Sequence, residues 1–535
     1  MSALSISRHD DFTGGLNLRA DQFQLRQNES PDMLNVEIDP RGGVFSRGGM
    51  HRLNTTAVSG TWSPHRLYPF YGDAARLMLS NGANVLWSSG GDFTRLDYSS
   101  GNAVTATSAD GASLSGWGDT LYIATGATSG SVGYKWKTGD TYATALTSSG
   151  PTWQAYASPT GTHMPIAEIV ATHNNKLFVA NTFEDGTAYP NRLRWSHEGL
   201  PENWMADDYI DFTGGGLGIR GLAVVAGHLV VFKPNNIYLL VGNSSDNFQV
   251  VELSANLGAN SRLSVANSES GVFFYSNPEG LFLYDGTGIK DVFQPLRPLV
   301  DNKLLSASYT KPYSVSWLGR RMWVGLPYDQ DGVTTKPTRN FLFDPSIGDG
   351  AYTQFTTHDS CGVVGGCDWT DDGGANFRVA CHPTSAYVLK VDLYDEEKDN
   401  TTGTLTAFAS YYRTGWVDGG VYAQKKVFRR PDIVFKQVDT QRLVNVKVFH
   451  NYEEASGSER KQFDISLGGT GTGGYWGTAY WGSGLWGVAS EGASVKEGRN
   501  LGLARSVQLL LTGPSTGEWG IDSITYKYNN RKVRS

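Results

Sequence analysis

Five residues of the kinds that bind metals fall within 25 positions: His358, Cys361, Cys367, Cys381 and His382. Tetrahedral zinc draws on four nitrogen or sulfur ligands, usually presented in close CxxC-type pairs. Here the first two cysteines are spaced CxxxxxC and no close pair exists, so the spacing predicts buried or half-buried cysteines in strands rather than ligands. Acidic residues gather as well: Asp329 and Asp331 in YDQDG, and Asp368, Asp371 and Asp372 in CDWTDDGG. Paired carboxylates could hydrolyse a glycoside, and DxDG could open a calcium loop. The first lacks a complete motif, the second lacks the distal bidentate Glu, and Asp and Gly populate ordinary turns. GGGLGIRG (214–221) looks like a phosphate-cradling loop but leads into AVVAGHLVVF, a strand hairpin. A phosphate site of that kind needs the amides of a helix N-terminus. GxSxG, HExxH and GxxxxGK[ST] are absent. The expectation is a protein that is not an enzyme, with no catalytic residue, no cofactor and no metal.

Two further stretches could contact something. In GGYWGTAYWGSGLWG (473–487), Trp476, Trp481 and Trp486 recur every five residues. On a strand, side chains five apart point to opposite faces, and on a helix five residues turn through about 500°. Neither element makes a one-sided stacking platform for sugars or bases. The tryptophans are expected as packing or interface residues, at least two of them buried in a sandwich or against a neighbouring subunit. The last stretch, YNNRKVRS, groups Arg531, Lys532 and Arg534. It reads as a solvated tail or as a contact with a partner or a nucleic-acid backbone.

These residues need a scaffold, and the composition says which. The 535 residues include 65 Gly, 12% aromatics and only 18% charged residues, a balance that fits short strands joined by tight turns. The length calls for two or three domains. A net charge of −7 argues against a dedicated nucleic-acid binder. No apolar run approaches the roughly 18–20 residues of a membrane span, and the N-terminus lacks the apolar core of a signal peptide. Synthesis in a cytoplasm is expected, and three cysteines imply no disulfide framework.

Helical periodicity is nearly absent. A turn followed by a four- or five-residue apolar strand recurs instead at Gly72, Gly118, Asn174, Gly227, Gly271, Gly319 and Gly374. A second strand often follows, as in NNIYLLVG, EGLFLYDG, NFLFDP and SAYVLKVD. Four-stranded units recurring at roughly 40–50 residues predict a β-propeller of six or seven blades, because such a sheet buries both faces only between neighbours. The predicted chain is all-β: an N-terminal arm and hairpin over 1–58, the propeller over 59–395, and a C-terminal antiparallel β-sandwich over 396–535.

The order of several fragments resembles tail proteins of bacteriophages. The fragments are FTGGLNLRADQFQLRQNESPDMLNVEIDPRGGVFSRGG (12–49), NRLRWSHEGLPENW (191–204), the run from GGGLGIRG to NNIYLL (214–240), GANSRLSVANSESGVFFYSNPEGLFLYDG (258–286) and the repeated Trp-Gly. The group it resembles comprises the tail nozzle (tail tubular protein B) and packaged-DNA stabilisation proteins of short-tailed phages, with minor tail proteins of long-tailed phages alongside. The resemblance implies a propeller-bearing virion component in the tail. Its partners would be adaptor, tail-fibre or tail-tip proteins and further copies of itself, commonly six in a ring around a lumen that passes DNA without sequence specificity. The chain is shorter than the largest nozzle proteins. Against this stands a receptor- or glycan-binding propeller at a tail tip, and behind that a polysaccharide-degrading enzyme.

Overall fold

The computed structural model describes residues 4–531 apart from 22, 147–162, 215–216, 302–313, 328–336, 394–395, 397, 422, 437–441, 456, 468–493 and 515–516. Seven four-stranded antiparallel sheets follow one another along the chain. Their first strands are Pro64–Tyr71, Ser113–Trp117, Ile166–His173, Gly221–Val225, Val265–Ser268, Ser314–Leu318 and Val364–Thr370. Each of these touches the first strand of the next sheet, and the last touches the first. A closed ring of radially stacked sheets is a β-propeller. Each of the seven turn-and-strand recurrences supplies the second strand of one sheet. Three of the turns are two-residue loops with both residues at positive φ: Asn174–Asn175, Ala226–Gly227 and Gly319–Arg320. That geometry matches the twist of the flanking strands.

The ring is closed by a strand from far upstream. Gly49–Arg52 forms the outer edge of the last sheet, with Leu389 opposite Arg52 and Lys390 opposite His51. A Cβ on Gly49 would collide with the Lys398 carbonyl, so the closing strand passes there only as glycine. Leu67, Leu77 and Leu79 of the first sheet then pack with Trp369, Val379 and Val388 of the last.

Apart from two short two-stranded pairs, Gly15–Leu16 with Glu29–Ser30 and Asp97–Ser99 with Asn102–Ala103, the remaining strands form two sheets that share one apolar core, one of eight and one of five strands. The sequence assigned these to 396–535 alone, and their make-up departs from that. Leu4–His9 runs antiparallel to Gly520–Asn530, from Leu4 opposite Asn529 to His9 opposite Ile524. The expected hairpin at 36–46 forms, and Val44 pairs with Ile521. Met33–Leu34 pairs with Tyr411–Arg413. The stretch expected as an arm over 1–58 is thus divided between the sandwich and the last propeller sheet. One continuous apolar cluster runs from Phe273, Phe341 and Tyr352 of the propeller, through Phe12, Met33 and Val44, to Ile433, Leu509 and Ile524 of the sandwich.

Arg47 sits where these parts meet, and its side chain is fully buried, as is that of Asp399. The guanidinium donates to Asp399 Oδ1 and Oδ2 at 2.9 and 2.8 Å. It also donates to Asn35 Oδ1 at 2.9 Å, the Gly48 carbonyl at 2.7 Å and the Thr356 carbonyl at 2.7 Å. All five of its N–H groups are used. Asp399 further accepts from the amides of Met50 and His358, and the Phe408 ring lies 3.7 Å from the guanidinium carbon.

Burial at this junction and within the eight-stranded sheet can each be tested. Arg47→Met strands a buried carboxylate and is expected to cost about 3–5 kcal/mol in urea unfolding; Arg47→Met with Asp399→Leu should recover most of the loss, and a double variant no better than the single one would refute the assignment. His9, 3% exposed and edge-on to Tyr526, has no hydrogen-bond partner on either ring nitrogen among the described residues. Burial pushes its imidazole down to about 4, the Asp10 charge opposing. The unfolded chain takes up that proton near pH 6.5, so stability is full above pH 7 and falls by roughly 3 kcal/mol as the pH drops from 6.5 to 4. His9→Phe should flatten that part of the profile; an unchanged slope would sink the idea.

Candidate functional site

The seven first strands surround a channel along the propeller axis. A cavity of about 520 Å³ occupies it, and every one of the seven strands contributes to its lining. Two arginines cross it. Arg66, on the first sheet, donates across the ring to the carbonyls of Arg262 at 3.3 Å and Val265 at 3.0 Å. Arg262, just ahead of the fifth sheet, reaches back to the carbonyls of Ala112 at 2.9 Å, Asp110, and Glu168 at 3.3 Å. These bonds tie the fifth sheet to the first, second and third.

The electrostatics are unusual. Among the described residues, neither guanidinium has a hydrogen bond or ion pair to a carboxylate. The Asp110 carboxylate accepts instead from Ser261 Oγ at 2.5 Å, and that of Glu168 from Ser108 Oγ at 2.9 Å and from Asn181. Burial lowers the Arg262 guanidinium to about 10, with Asp110 and Glu168 resisting and Arg66 reinforcing. Burial lowers Arg66 as well. Both remain cationic at neutral pH.

Past the arginines the cavity is lined by Tyr68, Ser115, Thr172 and Asn267, and it reaches Trp317 and Asp368. Those last two also border a shallow cleft with Tyr71, Glu269, Arg320, Phe377 and Lys390. Ser115 and Thr172 hydroxyls bond each other at 2.9 Å. Both carboxylate oxygens of Asp368 accept from the Gly319 amide at 3.1 Å. Asp371 and Asp372 do not join Asp368 in a paired site. Asp371 accepts from the Ala375 amide at 2.8 Å within its own turn, and Asp372 binds the Ala75 amide and Arg76 on the first sheet.

The metal-type residues partly assemble. Donor atoms of Asp359, Cys361 and His382 lie within 4.8 Å of one another, a grouping that spacing alone did not single out because Asp359 is an ordinary turn residue. His382 Nδ1 accepts from the Ser385 amide at 2.8 Å, so the ring proton belongs on Nε2, which faces Asp359 Oδ2 at 3.1 Å. A metal on Nε2 would move that proton to Nδ1, against the Ser385 amide. The same proton leaves no lone pair to deprotonate Cys361. Burial opposes ionisation of Asp359, yet hydrogen bonds from His382 and Thr357 hold it well below the usual carboxylate range. With Trp62 Nε1 bonded to the His382 carbonyl at 2.8 Å, the group is a clasp between loops. Cys361 and Cys381 are buried and Cys367 half-buried. Cys367 and Cys381 lie in strands of the last sheet.

Trp476, Trp481, Trp486, Lys532, Arg534, Asp329 and Asp331 lie outside the described residues. Arg531 is exposed at the end of Gly520–Asn530, its amide donating to the Lys425 carbonyl at 3.1 Å and its carbonyl accepting from Gln424 at 2.9 Å. After GGGLGIRG comes the strand Gly221–Val225. The sequence did not point to Arg66 or Arg262. The available signal was a single arginine in each of two segments with no acidic or lysine residue, HRLYPF and SRLSVA.

No family model matches the chain, and neither does any curated protein. Among solved structures it is similar to YCF48 from Cyanidioschyzon merolae, at 12% identity over 63% of this chain and 98% of that one, with a TM-score of 0.34. A likeness that weak is no basis for fold or function, and the architecture rests on the strand pairing. No helix among the described residues is long and apolar enough to cross a membrane.

For the clasp, dialysis of the full chain against EDTA is expected to leave its melting temperature unchanged. A chelator-dependent fall, reversed by zinc, would overturn the tautomer argument.

Proposed function

We propose that the protein is a structural, non-enzymatic component of a bacteriophage tail, in which copies of the chain assemble as a ring around the path of the DNA. The observation that carries this reading is the place of residues 12–49. That stretch bears the opening of the resemblance to tail nozzle and minor tail proteins. It also supplies strands to both sandwich sheets, packs against the propeller, and carries Arg47 into the junction. In this reading the propeller has seven blades, closed by Gly49–Arg52, and the sandwich is built from 4–46 together with 411–530. The two are held as one body suited to fixed placement in an assembly.

The DNA route in this proposal is the lumen between copies. The propeller's own channel is crossed by Arg66 and Arg262 and leaves about 520 Å³, far too little for a duplex. The partners are adaptor or tail-tip proteins and further copies, six being the number the resemblance implies.

Cryo-microscopy of purified virions tests the reading. The expected result is a closed ring of this chain on the tail axis, with the sandwich or the propeller edge forming the contacts between copies. Absence from the virion, or a peripheral monomeric position, would overturn it.

A further inference from the structure

The channel arginines have a second consequence. A buried cation is costly unless its charge is matched. Arg66 donates one N–H from each terminal nitrogen to a carbonyl, and a guanidinium has five. Its other three N–H groups have no partner among the described residues, and Arg66 lines the cavity. Asp110 and Glu168 act on the Arg262 charge, whereas no carboxylate bears on Arg66. Tyr68, beside it in the lining, accepts from the Gly116 amide at 2.9 Å and keeps its own hydroxyl hydrogen to donate. Beyond them come the hydroxyls of Ser115 and Thr172, the Asn267 amide and the Trp317 ring.

We propose that the propeller channel is a binding site for a small ligand bearing an anionic oxygen group, carboxylate or phosphate, on a hydroxyl-rich body. The anionic group is held by Arg66 and Tyr68, with the ligand body lying toward Trp317. Arg66 offers the planar fork that matches either group. The polar side chains farther along suit sugar hydroxyls, and Trp317 offers an aromatic ring at the open end. Asp368 is the one acidic side chain at that end of the lining, and its carboxylate is engaged by the Gly319 amide.

The test is calorimetric titration of the full-length protein with glucuronate, glucose 1-phosphate and neutral glucose, at low and high salt. Saturable binding of at least one anion is expected, weakened by salt, with glucose binding at least about tenfold more weakly. The tighter of the two anions identifies which group the site takes. Arg66→Gln should lower affinity about tenfold or more. Asn267 is exposed, so Asn267→Asp should leave the fold intact while placing a negative charge in the lining, and it should weaken anion binding several-fold. If Arg66→Gln fails to fold, Asn267→Asp decides alone. No binding of either anion, equal binding of glucose, or anion affinity indifferent to these substitutions would overturn the site. The assay uses isolated protein, so its outcome is independent of where the chain sits in a virion.

Discussion

A buried guanidinium whose five N–H groups all find acceptors fixes where the chain's distant parts meet. Arg47 bonds Asn35 on the N-terminal segment, Thr356 at the edge of the propeller and Asp399 at the exit from it. Asp399 in turn receives the amides of Met50, in the closing strand, and His358. Apolar side chains could fill the same space without the desolvation cost, and buried ion pairs are often no more stabilising than such replacements. What an apolar cluster lacks is direction. Each bond here has a required angle and partner, so slipping the closing strand by one residue would strand a charge. The register of Gly49–Arg52 against Val388–Leu393, and with it closure of the ring, depends on that constraint.

The local units were legible in the sequence because they are local. A turn and the apolar strand after it are set by neighbouring residues, and seven such units appear as the second strands of seven sheets, three of them after two-residue turns with positive φ. The antiparallel strands after 396 were readable for the same reason. The division into three consecutive blocks was not, because it assumed that neighbours in sequence are neighbours in space. Gly49–Arg52 pairs with a strand some 340 residues away, and only four residues carry the signal. Leu4–His9 belongs to the sandwich because Gly520–Asn530 has a free edge there, and composition cannot show a free edge.

The candidate site divides in the same way. The expectation against metal chemistry at His358, Cys361, Cys367, Cys381 and His382 rested on spacing, and what folding adds is the Ser385 amide on His382 Nδ1, which turns the ring proton on Nε2 toward Asp359. Asp359 joined the group only through folding. Arg66 and Arg262 are invisible as a pair in sequence, since their meeting requires the first and fifth sheets to face each other across the ring. The same dependence explains why the acidic residues of CDWTDDGG scatter: their turn distributes three carboxylates among Gly319, Ala375 and the first sheet.

Three buried or enclosed arginines therefore distinguish two uses of one residue type. Arg47 meets a carboxylate through two parallel bonds and spends every donor on the protein, so its charge is matched and it has nothing to offer a ligand. Arg262 is intermediate, bonded only to carbonyls but with Asp110 and Glu168 near enough to act on its charge. Arg66 has carbonyl partners, unspent donors and no carboxylate acting on it. Carbonyl dipoles solvate a guanidinium without neutralising it, so net positive charge persists at Arg66. Closing the ring places that charge at the axis, where Arg66 lines the cavity. Ring closure thus places in the channel a guanidinium that no carboxylate meets through a hydrogen bond or ion pair among the described residues.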